Sequence, residues 1–422
     1  MTIDVYEELR REALAQIDES GIDPAKQPHE VRELLENAVE DYQRRAHLGE
    51  GRSLADPKMT VDRLARSLTG RGPLGELLAR TDVEEIFVEG DQVSYLEAGG
   101  ALRAAAVPTT ESENRQTIEQ LISSTDRRLD ASNPIAQARI LEGTARLTAV
   151  IPPVGDRLSA TIRRYALRRQ TLDSLVSLGS LAKPAADFMA LAMKASASVL
   201  VSGPPGSGKT SFLSALIAAA PIDHCIRACE EVRELHVPLI HGSYYEARPP
   251  SLDGTGEISL RDLVKVTLAM RPDLIVVGEV RGSEAFELTR AVNAGCGMAC
   301  TIHANSAADA LEALVNAALM AGENIPERVV RKVFSSSLDL VVHLDRAAES
   351  EGIARETMEI RAVVPALHDD FSTESLFLRS RLGAPMEWTG ALPPEPLAER
   401  LQRVAPGGTT ISDLMKQGVR EW

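Results

Sequence analysis

The pattern of apolar and polar positions divides the chain into three textures. Over residues 1 to 80, apolar residues recur every three or four positions among Glu and Arg, which predicts helices at Glu7–Asp18, His29–Ala46, Met59–Leu68 and Leu74–Ala79. Gly51-Arg52-Ser53 and Gly70-Arg71-Gly72-Pro73 break the run. So charged a region reads as a solvated helical arm or as a docking arm for a partner. From 81 to 170 the runs shorten. Strands are predicted at Ile86–Val88, Gln92–Glu97, Arg139–Leu141, Ala145–Ile151 and Leu158–Arg164, with a hairpin turn at Gly99-Gly100 and a helix at Glu111–Ser124. That is a small α+β or α/β domain, and residues 171–182, ahead of the next texture, read as a linker.

From 183 onward strands and helices alternate. Strands are predicted at Ser198–Ser202, Ile226–Cys229, Leu274–Gly278, Met298–His303 and Leu338–Leu344. Helices fall at Pro184–Ala195, Thr210–Ala219, Leu260–Met270, Ser283–Ala294 and Ala307–Ala321. Alternation of this kind builds an α/β fold with a mainly parallel sheet and crossover helices. Extra edge strands are predicted over 352–381, then short helices and turns to Trp422.

Composition narrows the function. The 422 residues suffice for two or three domains, and 44% apolar content supplies their cores. A net charge of −15 excludes a general polyanion-binding surface. The N-terminus lacks the basic and apolar regions of a secretory signal, and no apolar run is long enough to span a bilayer. Cys225, Cys229, Cys296 and Cys300 are spaced C-x₃-C in pairs. Along a strand such positions are about 13 Å apart, so reduced thiols in a cytoplasmic protein are expected rather than zinc.

The chemistry is concentrated in the third texture. Strand residues 199–202 lead into Gly203-Pro204-Pro205-Gly206-Ser207-Gly208-Lys209-Thr210, and Ser211 continues into a helix. G-x-x-x-x-G-K-[ST] between strand and helix is a phosphate-binding loop. Its glycines permit positive φ, so backbone N–H groups turn inward around phosphate oxygens, and the helix start adds its positive dipole end. Lys209 reaches the β- and γ-phosphates, and the Thr210 hydroxyl ligates Mg²⁺. ATP and Mg²⁺ are therefore the expected ligands of residues 203–211. Leu274-Ile275-Val276-Val277-Gly278-Glu279 is a buried strand that delivers a carboxylate at its C-terminal end, where open parallel sheets bind ligands. Glu279 is placed to polarise a water or to hold Mg²⁺ through water. Glu230, after strand 226–229, offers a further carboxylate for a Mg²⁺–phosphate site, and His303, at the end of strand 298–303, is positioned to sense the γ-phosphate.

Taken together these boxes resemble the secretion ATPases of type II and type IV secretion and pilus assembly, and most of all the Tad/Flp pilus-assembly group, CpaF/TadA. The resemblance covers residues 60 to 345. It includes Gly72-Pro73-Leu74, Arg127-Arg128-Leu129-Asp130, Ile151-Pro152-Pro153, Thr161-Ile162-Arg163-Arg164-Tyr165, the phosphate loop, Met270-Arg271-Pro272-Asp273, Gly278-Glu279-Val280-Arg281 and His303-Ala304-Asn305. It implies a RecA-like ATPase domain over 183–422 with a C-terminal extension, preceded by the smaller α+β domain and the helical region. It also implies Glu279 as the Walker B catalytic glutamate, Glu230 in the acidic box and His303 as the second histidine of the His box. Hexameric rings are implied, with arginines supplied by the N-terminal domain, where Arg139, Arg146, Arg163 and Arg164 sit and Arg146 and Arg163 are favoured. The implied role is a motor docked on the inner face of the cytoplasmic membrane through an inner-membrane platform protein, with no nucleic acid partner. Two positions depart from the group: Cys296 stands where a histidine is usual, and Glu231 where an aspartate is usual. A cysteine at 296 is no cationic phosphate contact. The alternatives are a RecA-type nucleic-acid motor for DNA transfer, a GTP switch, for which an Asn-Lys-x-Asp segment is lacking, and an ATP-binding regulator without turnover.

Overall fold

The structure is a computed structural model that describes residues 5–24, 26–69, 72–97, 102–125, 127–164, 170–235, 240–250, 254–322, 324–349, 352–365 and 371–418. The expected Gly99-Gly100 turn lies outside these residues. Two compact units divide the chain, Met1–Ala166 and Leu167–Trp422.

The first unit opens with helices α1 (Val5–Ser20), α2 (Pro28–His47), α3 (Pro57–Thr69) and α4 (Gly72–Ala79). The expected solvated arm is instead folded. Apolar stripes of α1–α3 converge, and Tyr6, Leu9, Leu35, Val39, Leu64 and Leu68 bury against one another in a core of their own. Helix α5 (Glu111–Ser123) begins with a reciprocal capping box between Thr110 and Glu113. It ties to α1, where Tyr6 donates to the buried Glu113 carboxylate and Arg10 donates to Ser112 Oγ at 2.9 Å. Six strands follow the order β3-β2-β1-β6-β5-β4: β1 (Val83–Glu89), β2 (Gln92–Glu97), β3 (Leu102–Ala104), β4 (Ile135–Ile140), β5 (Ala145–Val150) and β6 (Ser159–Arg164). All the pairs are antiparallel, so this is an α+β unit. One face packs on Leu74, Ile118 and Leu121 from α4 and α5, while the other alternates outward.

The second unit begins at Leu167, ahead of the expected linker. Residues 171–182 carry α6 (Leu172–Ser177), capped by Thr171, and Leu172 and Leu175 join the same core as Phe188. A helix of six residues is too short to show a periodic stripe. Next come α7 (Lys183–Lys194), β7 (Val199–Ser202), α8 (Lys209–Ala218), β8 (Ile226–Glu230), β9 (Gly242–Glu246), α9 (Leu260–Leu268), β10 (Leu274–Val280), α10 (Glu284–Asn293), β11 (Gly297–Ile302) and α11 (Ala307–Leu319). The chain finishes with α12 (Glu327–Ser337), β12 (Leu340–Glu349), β13 (Gly352–Val364), β14 (Ser372–Arg379), β15 (Met386–Trp388), α13 (Glu395–Val404) and α14 (Ile411–Gln417).

Nine strands form one sheet in the order β15-β14-β13-β12-β7-β11-β10-β8-β9. From β12 to β9 neighbours run parallel, and the β12–β13–β14–β15 side is antiparallel. The sheet is thus mainly parallel with an antiparallel flank, and the strands predicted over 352–381 belong to that flank. Every residue of β7 is buried, because helices cover both faces. One core holds Phe188, Phe212 and Val201, and the other holds Leu200, Val277 and Phe334. Strand β9 and helix α12 were not anticipated. Strand β9 reads Gly-Ser-Tyr-Tyr-Glu, with no alternation to mark it.

Candidate functional site

The ends of β7, β10 and β11 converge at the C-terminal edge of the parallel sheet, where all three chains leave their strands toward the same side. Strand β7 delivers the phosphate loop. Gly206 and Gly208 take φ of +74° and +92°, and Gly208 stands as the left-handed residue ahead of α8. Gly203 takes φ of +153° and has a further reason to lack a side chain, since a Cβ there would collide with the Leu344 carbonyl oxygen and with Ser207 Oγ. The Ser207 hydroxyl is fully buried and has no hydrogen-bond partner. Together the positive-φ turn, the helix start and this orphaned polar atom fit a bound anion. Thr210 and Ser211 are half-buried in the first turn of α8, and Pro204 and Pro205 form the outer rim.

Lys209 is the most engaged side chain of the loop. Its ammonium donates to the carbonyls of Gly203 at 3.0 Å and Pro204 at 3.2 Å, and lies 3.2 Å from His303 Nδ1. An ammonium has only donors, so Nδ1 accepts and the imidazole proton resides on Nε2. Nε2 in turn sits 2.7 Å from Glu279 Oε1. The other Glu279 oxygen accepts from Arg281 Nε at 2.7 Å, and Arg281 reaches Glu231 Oε2 at 2.9 Å. A continuous polar chain therefore runs Lys209–His303–Glu279–Arg281–Glu231 along the strand ends. Strand β10 is held to β11 just before Glu279, where Thr301 Oγ1 donates to the Gly278 carbonyl at 2.6 Å.

Glu230 lies beside this chain but is used differently. It is buried, and its carboxylate accepts from the backbone N–H groups of Glu234 at 3.0 Å and Leu235 at 3.2 Å. Its Cγ presses on the backbone of Gly278, where a Cβ would come within 2.7 Å. Burial pushes the carboxyl up to about 7, against the opposing pull of those two N–H donors. The exposed neighbour, Glu231, is the one joined to Arg281. Among the described residues no group of three or more His, Cys, Asp or Glu side chains is arranged to hold a metal.

Cys296 occupies the opposite end of the sheet. It precedes Gly297, the first residue of β11, whereas His303 follows the last, so six residues of strand put about 20 Å between them. The residue at 296 is not at the phosphate edge, and the expected loss of a cationic contact there does not arise. All four thiols are free; burial raises those of Cys229 and Cys296 to about 11 and that of Cys300 to about 12.

The four arginines of the first unit separate into two groups. Arg139 pairs with Arg146, and Arg146 with Arg163, in the registers of β4–β5 and β5–β6, so the three form one row across adjacent strands. The row ends at Glu85 on β1, which meets Arg163 Nε at 3.3 Å. Within it Arg146 donates to Gln137 Oε1 at 2.9 Å and Arg139 to the Gly143 carbonyl at 3.0 Å. Arg164 is next along the strand and therefore points to the other face. It donates to the Leu78 carbonyl at 3.0 Å and to that of Arg80, which anchors the end of α4.

The profile of the type II/IV secretion system protein family matches residues 76–373. A putative conjugal transfer protein of Mycobacterium tuberculosis is 36% identical over 253 residues, spanning 58% of this chain and 71% of that protein. The type IV secretion system protein PtlH of Bordetella pertussis is 32% identical over 319 residues, spanning 67% of this chain and 91% of PtlH. Among solved structures, the Yersinia pseudotuberculosis ATPase DotB shares the fold, with a TM-score of 0.50 at 15% identity over 70% of this chain and 78% of that one.

Proposed function

Since the chain belongs to the type II/IV secretion system protein family and is an ATPase of it, we propose that it is a hexameric motor of a Tad/Flp-type pilus-assembly system, moving pilin or protein substrate through an inner-membrane platform. The observation that carries the reading is the Lys209–His303–Glu279 chain, which joins the phosphate-loop lysine to the strand-end glutamate through one imidazole. Lys209 neutralises charge on the β- and γ-phosphates. Once its ammonium turns to phosphate oxygens, His303 Nδ1 is released to take up a proton and donate to the γ-phosphate, and Glu279 is left to orient and deprotonate the attacking water. Thr210, and Glu279 through water, are the residues that would hold Mg²⁺, which would supply charge neutralisation at the phosphates. Glu230 serves as a positioning residue rather than as the expected Mg²⁺ ligand, because its carboxylate is occupied by backbone donors of the 234–235 turn.

Glu279→Gln tests the assignment. The amide keeps the size of the side chain and loses the base, so the variant is expected to bind ATP like the wild type and to hydrolyse it at least ~100-fold more slowly. Normal turnover would move the base elsewhere. Names of relatives that refer to conjugal transfer motivate a second arm with single-stranded DNA. The −15 net charge predicts no stimulation of hydrolysis, and strong stimulation would favour the DNA-transfer motor.

A further inference from the structure

Beside the phosphate loop, the β12–β13 hairpin carries two arginines directly opposite each other. Arg346 and Arg355 are register partners in the antiparallel pair, so their side chains leave the same face. Both lie against the loop. A Cβ on Gly206 would come within 2.7 Å of a terminal nitrogen of Arg346, and one on Gly208 within 3.7 Å of Arg355 Cδ. The Asp345 carboxylate accepts the Arg346 backbone N–H at 2.7 Å, which leaves the exposed guanidinium to other partners. The loop the two arginines lean on is itself an anion cradle, with positive φ at residues 206 and 208 and the unpartnered hydroxyl of Ser207 between them.

We propose that Arg346 and Arg355 form a pair of phosphate-binding arginines, delivered by the hairpin of the same unit to the nucleotide held in the loop. The proposal rests on the nucleotide-site reading above and adds a second cationic element to Lys209. Placement decides between phosphate and base as the target. Residues 206 and 208 are where backbone N–H groups turn toward phosphate oxygens, and a guanidinium fork matches two such oxygens at once. The pair is invisible to a motif search, because residues nine positions apart come together only through the register of a hairpin.

Equilibrium binding to the full chain tests this, with trinitrophenyl-ATP as the fluorescent probe and ATP or inorganic tripolyphosphate as competitor. Arg346→Ala and Arg355→Ala are each expected to weaken both competitors about tenfold, the scale of one charge-assisted hydrogen bond. Arg346→Lys is expected to recover part of that loss, since a point charge replaces the fork. Wild-type affinity for tripolyphosphate in both alanine variants overturns the proposal. Weaker ATP binding with unchanged tripolyphosphate binding overturns it too, and reassigns the arginines to the base. Lys209→Ala separates the two readings: if it binds ATP normally the nucleotide site itself is wrong, whereas if it loses ATP and the arginine variants do not, only the hairpin proposal fails. Should Arg355→Ala lower the melting temperature, Arg355→Gln provides the same readout with the side-chain packing kept.

Discussion

Two neighbouring carboxylates show how burial divides roles at the residue scale. Glu231 is exposed and ion-paired with Arg281, while Glu230 is buried and titrates near 7 instead of its ordinary 4.5. The sign of the consequence is fixed by which state holds the proton. Between about 4.5 and 7 the folded chain binds more protons at Glu230 than the unfolded chain, so the contribution of this group to stability is complete below 4.5 and is lost as pH rises through 7. Glu230→Gln removes that slope while keeping an oxygen for the Glu234 and Leu235 N–H groups. Relative to wild type, the variant is expected to gain about 3 kcal/mol between pH 4.5 and about pH 8. Urea unfolding at both pH values, without Mg²⁺, measures it, and a pH-independent difference would show that Glu230 titrates alike in the folded and unfolded chain.

Elements are positioned by backbone approaches that tolerate no side chain. The end of β12 passes so near the start of the phosphate loop that the Leu344 carbonyl occupies the Cβ position of Gly203. Gly203→Ala therefore forces β7 and β12 apart at the point where the loop departs. Gly295 offers a contrast: its φ is +80° against +153° at Gly203, and a Cβ there meets nothing within 4 Å. Gly295→Ala is expected to cost about 1–2 kcal/mol, the strain of a left-handed alanine alone. Gly203→Ala should cost at least ~2 kcal/mol more in urea unfolding and should abolish trinitrophenyl-ATP binding. Equal costs at the two sites would mean that the loop relaxes away from β12 freely.

For the whole molecule, the row Arg139–Arg146–Arg163 sets three cations side by side on adjacent strands. Glu85 meets Arg163, and exposed pairs of that kind contribute about 0–1 kcal/mol. Arg146, at the centre of the row, has a neutral amide for its partner. If the row meets nucleotide phosphates during turnover, Arg146→Ala is expected to lower kcat at least tenfold with thermal stability unchanged, because an arginine placed on a transferring phosphoryl group contributes about 10³ to 10⁵ in rate. Arg164→Ala is the contrast: its bonds to α4 predict lost stability first. Wild-type kcat in both Arg146→Ala and Arg163→Ala would detach the row from catalysis. The proposed ring is checked by multi-angle light scattering at micromolar protein with ATP and Mg²⁺, where a hexamer is expected and a persistent monomer would remove the ring from the proposal.

Whatever depends on neighbours in sequence was readable from the chain itself. The phosphate loop is set by glycines that alone accept its φ values, and the strand before it and helix after it are long enough to show their period. The β10 run ending in Glu279 announces itself through the uncharged stretch Leu274–Gly278, whose five positions are all buried. Contacts across the chain were decided by tertiary structure. Folding of the helical region needed three stripes to find one another, and α6 needed the core around Phe188 to hold so short a helix. Cys296 and His303 bracket one strand, and only the direction of β11 shows that a single one of them reaches the phosphate edge. The use of Glu230 by a turn, the row of three arginines and the pair on the β12–β13 hairpin all follow from strand register and burial. Those are properties of pairs of segments, which no single segment encodes.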